Sequence, residues 1–138
     1  MSSKVTVEEA NAFLEEAFSG AQNRSKVTLM EEGRAVMRME ANDQHLRPGG
    51  YISGPTQMAM ADSVTYVPIF TRLGITPMTV TSNLNMNFLR PCIGTAVVAE
   101  ARLLKLGRTL AVAEVEIRAE GSDKVASHAI VTYSIPAT

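Results

Sequence analysis

Between Pro48 and Leu89 only two residues carry a formal charge, Asp62 and Arg72. Arg72 stands near the end of a helical pattern, where a cation complements the dipole and its long stem reaches water. Asp62 lies in the middle of that pattern, among Met58, Ala59, Ala61 and Val64. Burying an unpaired carboxylate costs several kcal/mol or forces it to take up a proton. Such a group is kept when it is paired, hydrogen-bonded or used in chemistry. The chemistry open to Asp62 is that of a general base or a nucleophile. The plain alternative is a carboxylate that faces a polar strand or water along one sliver of the helix.

Upstream, Ser53-Gly54-Pro55 sets a small backbone at the start of the same helix. Free N–H groups and the positive end of the dipole converge there, and such donors suit the oxyanion of a carbonyl that becomes tetrahedral. Taken alone, glycine-proline merely starts a helix. Joined to Asp62 two turns further on, it makes a more specific pair.

The elements that must position these residues follow from periodicity. Thr6 and Glu9 read as a capping box, and Val7, Ala10, Phe13, Leu14, Ala17 and Phe18 form one apolar stripe, so a first helix is expected to end near Ser19-Gly20. Residues 26–30 and 34–40 alternate around Glu31-Glu32-Gly33, a hairpin signal, and residues 41–53 read as a loop. From Gly54 to Leu73 apolar residues surround the axis almost completely, which predicts a buried helix with Pro55 at its first position, a bend near Pro68 and Gly74 as its cap. Residues 78–89 alternate. Val80, Ser82, Leu84, Met86 and Phe88 share one face, and Thr79, Thr81, Asn83, Asn85 and Asn87 share the other. Strand patterns at 95–104, 110–119 and 125–135 complete an antiparallel meander. Helix, two strands, buried helix, four strands: the order predicts an α+β fold whose sheet wraps around the central helix.

Composition sets the outer bounds. The 138 residues fit a single domain spanning 1–138, 46% of them hydrophobic and 20% charged, with a net charge of -1. That balance gives no general pull toward nucleic acid or an acidic membrane, and no apolar run is long enough for a membrane span. The single cysteine, Cys92, permits no internal disulfide and reads as a buried thiol without a His partner. With an N-terminus unlike a secretory signal, a cytoplasmic protein is expected. No His/Cys/Asp cluster has metal-ligand spacing, so no metal is expected.

On these residues the chain resembles the hotdog superfamily, and within it the phenylacetic-acid-type (PaaI-type) acyl-CoA thioesterases. Ser53-Gly54-Pro55 occupies the slot of the family's His-Gly-Gly, and Met60-Ala61-Asp62 that of Leu-Ala-Asp. Residues 79–91, ending at Pro91, look like the family's polar-faced strand, and residues 129–133 like its last strand. The resemblance implies a sheet of five to six antiparallel strands around the helix, hydrolysis of acyl-CoA, Asp62 as the catalytic acid and the Gly54 N–H as oxyanion donor. It further implies that Thr81 is a hydroxyl reaching the attacking water across a subunit boundary. The protein would be a dimer or tetramer with sites between subunits, and coenzyme A would enter only as part of the substrate.

Three residues depart from the family pattern: Ser53 stands for His, Pro55 for Gly, and Arg47 for Asn or Gln. His45, Arg47 and Gln57 are the candidates to compensate, Asn83 lies on the polar strand, and Arg90, Lys105 and Arg108 are candidates for the coenzyme A phosphates. Met58, Ala61, Val64 and Tyr66 are candidate walls for the acyl chain. The competing readings are a non-catalytic acyl-CoA-binding hotdog protein and an acyl-thioester dehydratase. The latter wants a His paired with an acid, and only His45 and His128 are present.

Overall fold

In the computed structural model, which describes residues 3–17 and 25–136, the element order is α1 (Val7–Ala17), β1 (Lys26–Glu31), β2 (Arg34–Glu40), a 3-10 turn (Asp43–His45), β3 (Leu46–Arg47), β4 (Tyr51–Ile52), α2 (Gly54–Leu73), β5 (Val80–Phe88), β6 (Ala96–Leu106), β7 (Leu110–Ala119) and β8 (Ser127–Ser134). Six strands form one antiparallel sheet in the order β1-β2-β6-β7-β8-β5, and α2 packs across its inner face, chiefly on β6 and β2. This is the α+β hotdog arrangement the sequence predicts. The expected loop at 41–53 contains one feature the pattern did not show, a two-residue hairpin in which Leu46 pairs with Ile52 and Arg47 with Tyr51.

Small residues line much of the inner face that receives the helix. Ala35 of β2, Ala99 and Ala101 of β6, Ala111 and Ala113 of β7 and Ala129 of β8 are all fully buried. Against them α2 presents Met60, Ala61, Val64, Val67, Ile69 and Phe70. Bulges at Thr28, Ser82 and Leu104 each add one residue to a strand and increase its local twist. The helix is less uniformly buried than its pattern implied: Met58, Ala59 and Leu73 are exposed. It continues through Pro68, and the Thr71 hydroxyl donates to the Pro68 carbonyl at 2.6 Å while accepting the Gly33 N–H at 2.8 Å. Gly33, in the β1–β2 turn, has φ +77°, and a Cβ there would lie 3.0 Å from the Arg72 guanidinium, so glycine fits both demands.

The Thr6–Glu9 capping box is formed in both directions, at 3.0 and 3.1 Å. The expected end of the first helix near Ser19-Gly20 lies outside the described residues. Asn11 ties α1 to β1 by accepting the Val27 N–H at 2.8 Å and donating to the Val27 carbonyl at 3.1 Å. Phe13 then packs edge-on against Phe70 of α2 with ring centroids 5.1 Å apart.

Candidate active site

Asp62 is half-buried on the side of α2 that faces β8 and β5. Its Oδ1 accepts from the Thr81 hydroxyl at 2.5 Å and from the Tyr133 hydroxyl at 3.0 Å. Tyr133 also donates to the Asp62 backbone carbonyl at 2.5 Å. Tyr66, one turn further along α2, meets Tyr133 edge-on at 4.7 Å. Burial first, and then the Asp62 charge, push both tyrosine hydroxyls above their ordinary titration range, so they remain donors at neutral pH. Asp62 is therefore hydrogen-bonded rather than stranded, and Thr81 of the same chain supplies one of the bonds.

The position of Thr81 depends on a bulge. Thr81 pairs with Tyr133, whereas Asn83 pairs with Thr132, so Ser82 is the extra residue between them. Simple alternation groups Thr81 with Asn83 and Asn85. The bulge instead turns Thr81 to the helix side, beside Tyr133, and leaves Asn83 exposed on the opposite face. Asn83, a candidate from the polar strand, is thus not brought to Asp62 within the chain.

At the start of α2 the side chains serve the fold. Ser53 is the N-cap: its Oγ accepts the Thr56 N–H at 3.2 Å and donates to the Thr56 hydroxyl at 2.8 Å. Pro55 becomes the second helical residue rather than the first. Gln57, one of the candidates to compensate for the departures from the family pattern, is only 4% exposed and turns inward. Its Nε2 donates to the Ile52 carbonyl at 3.1 Å, and its Oε1 accepts from Ser127 at 2.6 Å. A helix start leaves its first N–H groups without helical acceptors. Here Pro55 has none, Thr56 gives its N–H to Ser53 Oγ and Gln57 to the Ser53 carbonyl at 3.1 Å. The Gly54 N–H remains, with no acceptor among the described residues. The Phe88 ring packs over this turn, 3.5 Å from where a Gly54 Cβ would be.

The remaining candidates scatter. Arg47 is exposed on the small hairpin, and Arg108 is exposed in the β6–β7 turn. Arg90 is exposed and donates to the Val125 carbonyl. His45 is buried beside the helix start: its carbonyl accepts the Ser53 N–H at 2.8 Å, and its Nδ1 accepts the Asn42 N–H at 3.0 Å. His128 lies on the outer face of the sheet, paired with Glu114 at 2.9 Å, away from Asp62. Among the described residues of the chain neither His contacts Asp62. Cys92 is buried, and burial pushes its thiol pKa up. No helix among the described residues is long and apolar enough to cross a membrane.

Tyr133 is the site residue that the sequence reading missed. The signal was available: it is the one large polar-tipped side chain on the inward face Ser127, Ala129, Val131, Tyr133, and a buried tyrosine hydroxyl needs a partner.

Residues 49–126 match the Thioesterase superfamily. A solved structure of a Silicibacter sp. TM1040 protein assigned as a thioesterase is 36% identical, covers 99% of this chain and 96% of its own, and superposes with a TM-score of 0.89. A Haemophilus influenzae thioesterase is 25% identical with TM-score 0.83, covering 97% of this chain and 94% of its own. The phenylacetic acid degradation protein PaaI of Thermus thermophilus, solved as a point mutant, is 28% identical with TM-score 0.71, covering 91% of this chain and 99% of its own. The chain belongs to the thioesterase superfamily, as a hotdog-fold protein of PaaI-like type, and its class of chemistry is thioester hydrolysis.

Proposed function

We propose that this protein hydrolyses acyl-CoA thioesters to the free acid and coenzyme A. Asp62 acts as general base or nucleophile, and the Gly54 N–H holds the oxyanion. The observation that carries the reading is the pairing of a fixed carboxylate with an unclaimed N–H at the start of the same helix. As general base, Asp62 takes a proton from water as the water oxygen adds to the thioester carbonyl. The tetrahedral oxyanion is held by the Gly54 N–H and the helix dipole, then collapses, breaking the C–S bond, and the departing thiolate takes the proton back from Asp62. As nucleophile, Asp62 adds to the carbonyl and expels the coenzyme A thiolate as the C–S bond breaks, and water then opens the acyl anhydride to the free acid and the Asp62 carboxylate.

The two groups cannot serve one carbonyl from a single chain. Eight residues of helix separate them by ~12 Å along the axis. Moreover, N–H groups of a first turn point out of the helix end, away from Asp62. The reading therefore pairs Gly54 of one subunit with Asp62 of another, and the protein works as a homo-oligomer, dimer or tetramer. The unpaired outer edge of β5 supports this, since it is nine residues long, bears no charge and leaves Val80 and Phe88 half exposed. Such an edge invites pairing with a second copy. Arg90, Lys105 and Arg108 are the exposed cations proposed for the coenzyme A phosphates, with coenzyme A entering only as part of the substrate. Release of free thiol across short, medium, long and aromatic acyl-CoAs tests the activity. An Asp62→Asn variant with near-wild-type turnover of every substrate cleaved would contradict it.

A further inference from the structure

The Asp62 carboxylate is anchored at one oxygen. Thr81 and Tyr133 both donate to Oδ1, and among the described residues no donor reaches Oδ2. The single Tyr133 proton is shared between Oδ1 and the Asp62 backbone carbonyl, at 3.0 and 2.5 Å, so one hydroxyl ties the side chain to its own backbone. Tyr133 can act as a fixed reference because it is fully buried, sits on β8 between β7 and β5, and is braced edge-on by Tyr66. Thr81 offers less constraint of its own, being on an exposed edge strand beside a bulge. An aspartate free on a helix surface samples several rotamers with its two oxygens equivalent. Two donors on one oxygen select a single orientation and draw charge to that oxygen, which leaves the other as the accessible acceptor.

We propose that Tyr133 is a positioning residue: together with Thr81 it anchors Asp62 through Oδ1, so that Oδ2 is the oxygen that meets water or the thioester. This rests on the reading of Asp62 as the catalytic carboxylate. Hydrolysis needs the reacting oxygen held within a fraction of an ångström of its productive place, and loss of that placement costs up to about 100-fold in rate.

The test is a double-mutant cycle in the intact protein. Tyr133→Phe keeps the ring and its contact with Tyr66 and removes only the hydroxyl. The expected result is a kcat lower by about 10- to 100-fold with KM within about twofold and melting little changed. In the Asp62→Asn background the same substitution is expected to do nothing further to the residual rate, because its effect passes through the carboxylate. Thr81→Val is expected to lower kcat by about 10-fold, with Thr81→Ser restoring it, which reads the same oxygen from the other donor. Equal losses from Tyr133→Phe in both backgrounds would show a general structural role and overturn the proposal. So would an unchanged kcat in Tyr133→Phe beside an inactive Asp62→Asn, and that result would leave the thioesterase reading intact. An active Asp62→Asn would overturn that reading itself and this proposal with it.

Discussion

The start and the middle of α2 solve opposite problems. At the start, side chains are consumed by the fold: Ser53 caps the helix, and Gln57 braces it against Ser127 and the Ile52 carbonyl. What remains for chemistry is a backbone group, the Gly54 N–H. Two turns on, the backbone is consumed by helical hydrogen bonding and a side chain, Asp62, remains for chemistry. On the proposed reading, side-chain identity at the first region belongs to stability, and at the second to rate. This explains how the chain accommodates Ser53 and Pro55 where its relatives' pattern has His and Gly. Serine is a strong N-cap, and proline in the first turn gives up an N–H that the helix does not use.

The division predicts a graded set of effects. Asp62→Asn should lower kcat by about 10²- to 10⁴-fold in steady-state thiol release, with the fold kept. Ser53→Ala should do the reverse, costing about 1 kcal/mol of stability, or roughly 4 °C in melting temperature, with kcat within about threefold. A loss of rate there comparable to that of Asp62→Asn would erase the distinction between the two regions. The smallest effect concerns pH. Tyr66 and Tyr133 titrate above the ordinary tyrosine value of 10.0 in the folded protein, so the stability they contribute is fully present below pH 10 and is lost as pH rises beyond it. Tyrosinate absorbance should show both hydroxyls resisting ionisation past pH 10 until the fold gives way.

Much of this was legible in the sequence, for identifiable reasons. Helix α2 has the bounds its apolar run and Gly74 indicate, because a long buried helix needs both a continuous apolar surface and a stop. Asp62 was conspicuous as a charge in that run. Thr81 was placed on the wrong face because the residues of β5 alternate regularly on paper. The extra residue at Ser82 exists only in the pairing with β8, which is a property of two strands and not of one. The inward commitment of Gln57 was equally hidden, since its partners Ile52 and Ser127 lie 5 and 70 residues away.

The central claim is that a working site takes Gly54 from one subunit and Asp62 from another, and subunit mixing tests it most directly. Gly54→Pro removes the N–H, and Ser53 already has the extended ψ of 154° that a following proline requires. Asp62→Asn removes the carboxylate. Each variant alone is expected to be inactive. Co-refolded in equal amounts, they should recover about a quarter of wild-type activity, since half the dimers are mixed and each mixed dimer holds one intact site. If the two inactive variants regain nothing on mixing, although mixed oligomers have formed, the shared site is contradicted.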